Sequence, residues 1–211
     1  MNLYERYPQL ICCRDAIESA IKMMTETFRN GGKLLACGNG GSCADCDHIV
    51  GELMKSFMFK RKVDAAFRCK LAEIASNNDE YYVNNLEGAL PAISLPSQSA
   101  LISAFANDVD PELVFAQMVY GYGRPGDILI CLSTSGNSKN IVAAARVAKA
   151  KGVYTLTLTG SKNSSLSEMC DTTIRVPEIE TYEIQELHLP VYHYLCAKLE
   201  KAFFDTDEYS F

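Results

Sequence analysis

The sequence lacks any apolar run long enough to span a membrane, so no transmembrane helix is expected. It has no basic start leading into a continuous apolar stretch, which argues against an export signal. Basic residues are nowhere massed. A formal charge of -6 with scattered Lys and Arg disfavours direct binding to a nucleic-acid backbone. Two familiar phosphate motifs are also missing. The first glycine-rich turn is not G-x-G-x-x-G, and no loop ends in Gly-Lys-Ser/Thr, which excludes the usual dinucleotide fingerprint and the P-loop.

What is present is an α/β rhythm. The 211 residues suit a single domain with an extension, and 48% apolar content supplies a substantial core. Five apolar runs read as strands, at Lys33 to Cys37, Pro91 to Leu95, Asp127 to Leu132, Val153 to Leu158 and Thr172 to Val176. Helical spacing predicts helices over Pro111 to Tyr120, Ser138 to Lys151, Ser164 to Cys170 and Glu183 to Phe204. Repeated crossovers of this kind call for a parallel sheet covered on both faces. Ahead of the sheet, Leu3 to Arg29 repeats apolar positions such as Ile17, Ala20, Ile21, Met24 and Phe28 at helical spacing. This helix, or helix pair, is expected to pack across the domain or against another subunit. Residues 64–90 break the rhythm. Lys70 to Ala75 and Tyr81 to Leu90 read as helices around Ser76 to Asp79, in an inserted cap or interface element.

Nine cysteines suggest a disulfide framework or a metal cluster, but most sit inside apolar segments, as expected of small core residues in a reducing cytoplasm. Cys43-Ala44-Asp45-Cys46 has redox C-x-x-C spacing. Nearby histidine and carboxylates offer it a different context.

Two junctions point to chemistry. Cys37-Gly38-Asn39-Gly40-Gly41-Ser42 joins a strand to a helix, with Ser42 read as the helix cap. Ser133-Thr134-Ser135-Gly136-Asn137-Ser138 repeats the design and adds four hydroxyl side chains. Backbone N–H groups at helix starts favour anions, so the pair predicts a phosphorylated ligand above the sheet. Asn107-Asp108 reads either as a sugar-hydroxyl binder at the same edge or, through Asp108, as a cap for the next helix.

The three histidines fall in two short segments. His48 and Glu52, four apart, share one helix face, while Gln185, His188 and His193 lie together near the end of the chain. Such donors suit either a divalent metal or metal-free proton transfer by Glu52 and His193.

In order along the chain, Gly38 to Ser42 with Asp45, His48 and Glu52, then Asn107-Asp108, Arg124 to Asp127, Ser133 to Ser138, Leu158 to Gly160, Ile174 to Pro177 and Gln185 to His188 with His193 form a joined pattern. It resembles the sugar isomerase (SIS) superfamily, especially the phosphoheptose isomerases, over nearly all of the chain outside 64–90. The resemblance implies a single SIS domain over 1–211: a flavodoxin-like αβα sandwich with a five-stranded parallel sheet and a helical extension at 1–30. It implies isomerisation of sedoheptulose 7-phosphate to D-glycero-D-manno-heptose 7-phosphate through a cis-enediol, with Glu52 as base and His193 as its partner. Asn39, Gly40, Ser42, Asn107, Asp108, Ser133, Thr134, Ser135, Ser138 and Gln185 would bind substrate and its phosphate. His48, Glu52, Gln185 and His193 would hold Zn2+. A homotetramer with sites between subunits is implied, and a cytoplasmic location is expected.

Two departures bear on the substrate. Tyr182 stands where the family usually has an aspartate, and Ser56 where it has a substrate-facing arginine, which leaves Lys55 or Arg61 as replacement cations. The alternative reading is a non-catalytic phosphosugar sensor or a replication-initiation adaptor of the same class. Retention of Glu52 and His193 favours the enzyme.

Overall fold

The computed structural model describes residues 2–74 and 79–205. Three short pieces open the chain: α1 (Leu3–Arg6), a 3₁₀ turn (Pro8–Cys13) and α2 (Arg14–Arg29). The predicted first helix is therefore broken at Pro8, which cannot donate the backbone hydrogen bond an α-helix needs there. Alternation then begins with β1 (Leu34–Gly38) and α3 (Gly41–Met54), followed by α4 (Ala65–Ile74) and α5 (Asp79–Asn85). Next come β2 (Ala92–Ser94), α6 (Ser99–Asp108), a 3₁₀ turn (Pro111–Leu113), α7 (Val114–Tyr122) and β3 (Ile128–Leu132). The last elements are α8 (Lys139–Ala150), β4 (Tyr154–Thr159), α9 (Ser165–Met169), β5 (Thr172–Arg175) and α10 (Thr181–Phe204).

All five strands pair in parallel, in the order β2-β1-β3-β4-β5. Side chains alternate between the faces of a strand, and the two packed layers follow from that period. Leu34 and Ala36 join a cluster with Ile17, Met24, Ile49, Val191 and Leu195 from α2, α3 and α10. Leu35 and Cys37 face Val119, Ile141 and Ala145 from α7 and α8 on the other side. Both β1 and β3 are buried along their whole length, which explains their continuous apolar runs. The N-terminal helices thus cover one face of the sheet, an assignment their apolar spacing left open between domain and subunit packing.

This strand order reverses between β1 and β3, and chains leaving the carboxyl ends of those strands diverge there. The crevice between them is flanked by both small-residue loops. Topology therefore brings together two motifs that stand about a hundred residues apart.

The 64–90 region differs from its expected shape. The second helix is Asp79–Asn85, and the chain continues to β2 without regular structure; Ser76 to Asn78 lie outside the described residues. No residue of α4 is buried. Helix α6 was not anticipated, because Ser99 to Asp108 carries no strong one-sided apolar pattern and buries nothing. Among the described residues no helix is long and apolar enough to cross a membrane.

Candidate active site

The first loop enters α3 with Gly40, not Ser42, at the capping position. Ser42 is buried inside the first helical turn and makes no capping hydrogen bond, which corrects its expected role. A helix that starts two residues earlier than a Ser42 cap would allow turns this hydroxyl inward. Gly41 permits a close approach. A Cβ there would lie 2.6 Å from Gln185 Nε2, so the Gln185 side chain packs directly over the first loop.

The second loop is held by its own hydroxyls. Gly136 N–H donates to Ser133 Oγ at 3.2 Å, and Ser133 Oγ lies 3.3 Å from Ser138 Oγ. Asn137 N–H donates to Ser135 Oγ at 3.2 Å. Gly136 takes φ +65, and a Cβ on it would collide with Ser164, so the turn depends on glycine. Ser138 occupies the position before α8, and Ser135 is exposed. A cleft of about 210 Å³ opens beside Thr134 and Ser135, with Lys162 in its wall.

A side-chain pair joins the two loops. Asn39 and Asn140 exchange two amide hydrogen bonds of 3.0 Å each. Asn39, expected at the substrate, thus spends its amide on fixing one loop against the start of α8. Asn107 and Asp108 sit at the end of α6, where Asn107 Nδ2 donates to Asp108 Oδ1 at 2.8 Å. Among the described residues no hydrogen bond ties them to either loop. The cap of the following turn is Asp110, whose carboxylate accepts from Glu112 N–H at 2.7 Å, so the capping role expected of Asp108 belongs two residues later.

The acid–base cluster forms where α3 meets α10. His48 Nε2 lies 3.2 Å from Glu52 Oε1 and 3.4 Å from His193 Nε2. The His48 and His193 rings meet edge to face at 4.8 Å, with Phe57 5.6 Å beyond His193. Residues from opposite ends of the sequence are therefore in one cluster. Behind them runs a chain of hydrogen bonds. Tyr192 Oη donates to Asp45 Oδ1 at 3.1 Å and stands 3.0 Å from His48 Nδ1. The hydroxyl has one proton, so His48 Nδ1–H is the donor to Tyr192 and its Nε2 faces Glu52 and His193. Burial raises the Asp45 carboxyl, opposed by Tyr192 and His48. Burial, and then the charge of Asp45, raises the Tyr192 phenol and keeps its proton in place. His193 is held below its ordinary value by burial first and by His48 second.

Glu52 is 9% exposed, and its Oε2 is buried without a hydrogen-bond partner. A buried carboxylate oxygen left open in this way is costly, and a proton-accepting role gives it a reason. His188 is wholly buried elsewhere, with no well-formed hydrogen bond to either ring nitrogen. Burial holds it down to about 4, a shift that nearby Thr159 backbone opposes only in part.

The expected Zn2+ site is corrected. Among the described residues no group of three or more His, Cys, Asp or Glu side chains is arranged to hold a metal. His48 Nε2 lies 3.2 Å from Glu52 and 3.4 Å from His193, and the Gln185 side chain lies over Gly41. The C-x-x-C thiols carry no disulfide. Both thiols are free, and burial, with Cys43 next in weight, pushes the Cys46 thiol well up.

Of the two replacement cations, Arg61 is unavailable to a ligand. Arg61 is 1% exposed and fully engaged with Glu200 and two backbone carbonyls. Lys55 is exposed and donates to Ser56 carbonyl oxygen. Ser56 itself is drawn into local structure, with its Oγ accepting from Arg61 N–H and its own N–H donating to Glu87. Sequence reading missed Tyr192 and Asn140 altogether. A tyrosine within an apolar helix reads as core, and an asparagine just past a cap reads as solvent-facing.

Residues 94–192 match the model of the SIS domain family, and residues 12–89 match a second SIS domain model. The chain is 36% identical to a phosphoheptose isomerase from Rhodospirillum rubrum, with 90% of this chain and 87% of that protein covered. It is 34% identical to one from Synechocystis, covering 96% and 90%. The solved phosphoheptose isomerase from Francisella tularensis superposes with TM-score 0.73 at 31% identity, over 89% of this chain and 86% of that one. The Neisseria gonorrhoeae phosphoheptose isomerase gives 0.69 at 27% identity, over 95% and 100%.

Proposed function

Because the chain belongs to the phosphoheptose isomerase family of SIS-domain proteins, we infer that it interconverts the ketose and aldose forms of a heptose phosphate. The substrate pair is sedoheptulose 7-phosphate and D-glycero-D-manno-heptose 7-phosphate. The observation that carries the reading is the meeting of Glu52, with its unpaired Oε2, and His193 through His48.

Glu52 takes the proton from the hydroxymethyl carbon beside the ketose carbonyl, and the C–H electrons form the enediolate double bond. His193, held neutral by its surroundings, receives the hydroxyl proton of that carbon and passes one to the former carbonyl oxygen. Glu52 then returns its proton to the second carbon as the new aldehyde forms. One carboxylate thus serves both carbons, and the cis-enediol keeps both oxygens on the imidazole side. The Asp45–Tyr192–His48 chain holds the cluster in orientation. Ser42, Ser133, Thr134, Ser135 and Ser138, with the backbone N–H groups at the starts of α3 and α8, anchor the phosphate and so position the carbonyl.

In the same reading the chain is one SIS domain that works as a homotetramer, with sites completed between subunits. The exposed Leu101, Val109 and Tyr120 and the residue-poor packing of α4 and α5 support an assembly, in which 64–90 acts as a cap or interface element.

Solvent-deuterium exchange into the sugar phosphate tests the chemistry. Exchange into sedoheptulose 7-phosphate with the wild type, and its loss in Glu52→Gln with ligand binding retained, is the expected result. Binding without exchange on every phosphosugar tried would replace the isomerase by a sensor. Light scattering tests the assembly, and a monomer at working concentration would refute it.

A further inference from the structure

One buried ion pair lies outside the acid–base cluster yet grips its framework. Arg61 Nε donates to Glu200 Oε1 at 2.8 Å, and neither side chain reaches solvent. The other two guanidinium nitrogens donate to backbone carbonyls: Nη1 to Leu53 at 2.7 Å and Nη2 to Glu52 at 2.8 Å. Glu200 also accepts from Phe57 and Met58 N–H, at 2.8 and 2.6 Å. The Phe204 ring lies 4.8 Å from the guanidinium carbon.

Those carbonyls belong to the last turn of α3, where helical donors run out. Glu200 follows His193 by seven residues on α10, two turns along one face. A single guanidinium thus ties the backbone of Glu52 to the helix that carries His193. Stability alone is a poor reason for such a pair, since apolar residues of similar volume often do as well. We propose that Arg61, anchored by Glu200, is a positioning residue that sets the reach of Glu52 toward His193. The planar fork is needed, because one ammonium cannot serve a carboxylate and two carbonyls in fixed directions.

The proposal rests on the isomerase reading for its kinetic test and carries a second test that does not. With three histidines in the chain, side-chain nitrogen NMR reports the cluster directly. The double variant R61M/E200L removes both charges at similar volume, and R61K keeps the charge without the fork. In the folded double variant kcat should fall about 100-fold, with KM within about threefold. His48 and His193 resonances should move while His188, packed elsewhere, stays as an internal control. R61K should show the same pattern at smaller amplitude and decides the matter if the double variant does not fold. Wild-type kcat with unmoved His48 and His193 signals in a folded variant would overturn the proposal. If the wild type itself turns over no sugar phosphate, the isomerase reading fails, and the histidine signals alone decide the positioning role.

Discussion

The α3–α10 edge and the α4–α5 pair are both helical but hold their residues in opposite ways. At the α3–α10 edge, Ile49, Leu53, Val191 and Leu195 are buried in the main core, and Asp45, Tyr192, Arg61 and Glu200 are tied to named partners. Helix α4 buries nothing, and Ile74 in its last turn is 81% exposed. Positional accuracy is therefore concentrated where apolar packing limits movement and each polar bond has one partner. A segment with neither constraint can change at little cost to the remainder.

The sharpest way to break that contrast is Glu52→Gln, which keeps shape but cannot accept the carbon-bound proton. Exchange should fall about 1,000-fold with the melting temperature nearly unchanged. Activity surviving at wild-type level would remove the edge's claim to the chemistry. His193→Gln should be milder, at about 100-fold in kcat, because water can relay protons between oxygens. Steady-state kinetics with the heptose phosphate would show it.

A pH series tests the buried side of the contrast. His188 titrates near 4 in the folded protein against an ordinary value of 6.5, so the unfolded chain binds more protons between those limits. Its contribution is complete above pH 6.5 and is lost as pH falls toward 4, by roughly 3 kcal/mol. Denaturant melts of His188→Leu should show a shallower acid decline than the wild type over that window. An identical decline would mean that this imidazole is already solvated.

Smaller effects are expected at the loops and smallest in α4. If Ser138 donates to the phosphate as proposed, Ser138→Ala should raise KM about five- to tenfold with little change in kcat. Ile74→Ser, on an exposed face, should shift stability by no more than about 0.5 kcal/mol. A large loss of stability and of oligomer in Ile74→Ser would show that α4 is buried in the assembly and would narrow the contrast between the two regions.

Much of this was legible in advance for local reasons. Strand ends were read within a residue or two because β1 and β3 are continuous apolar runs bounded by polar or glycine residues. Glu52 and His48 were paired correctly because four residues make slightly more than one helical turn. Ser42 is not the cap because a shift of two residues in helix start leaves composition unchanged but turns the side chain inward. Arg61 was misread as a candidate phosphate ligand because charge says nothing of burial. Donor types suggest zinc, whereas among the described residues no group of three or more such side chains is arranged to hold a metal.

By itself, the sequence determined the alternation of strands and helices, the two small-residue loops and the helix faces that carry carboxylate and imidazole. These depend on periods of two and 3.6 residues and on turn chemistry, which act between near neighbours. Only the tertiary structure decided that Tyr192 joins Asp45 across 147 positions, that Arg61 bonds the end of α3 to α10, and that Gln185 covers Gly41. Those contacts arise from how whole helices dock on the sheet, and docking is a sum over many buried surfaces that no local pattern encodes.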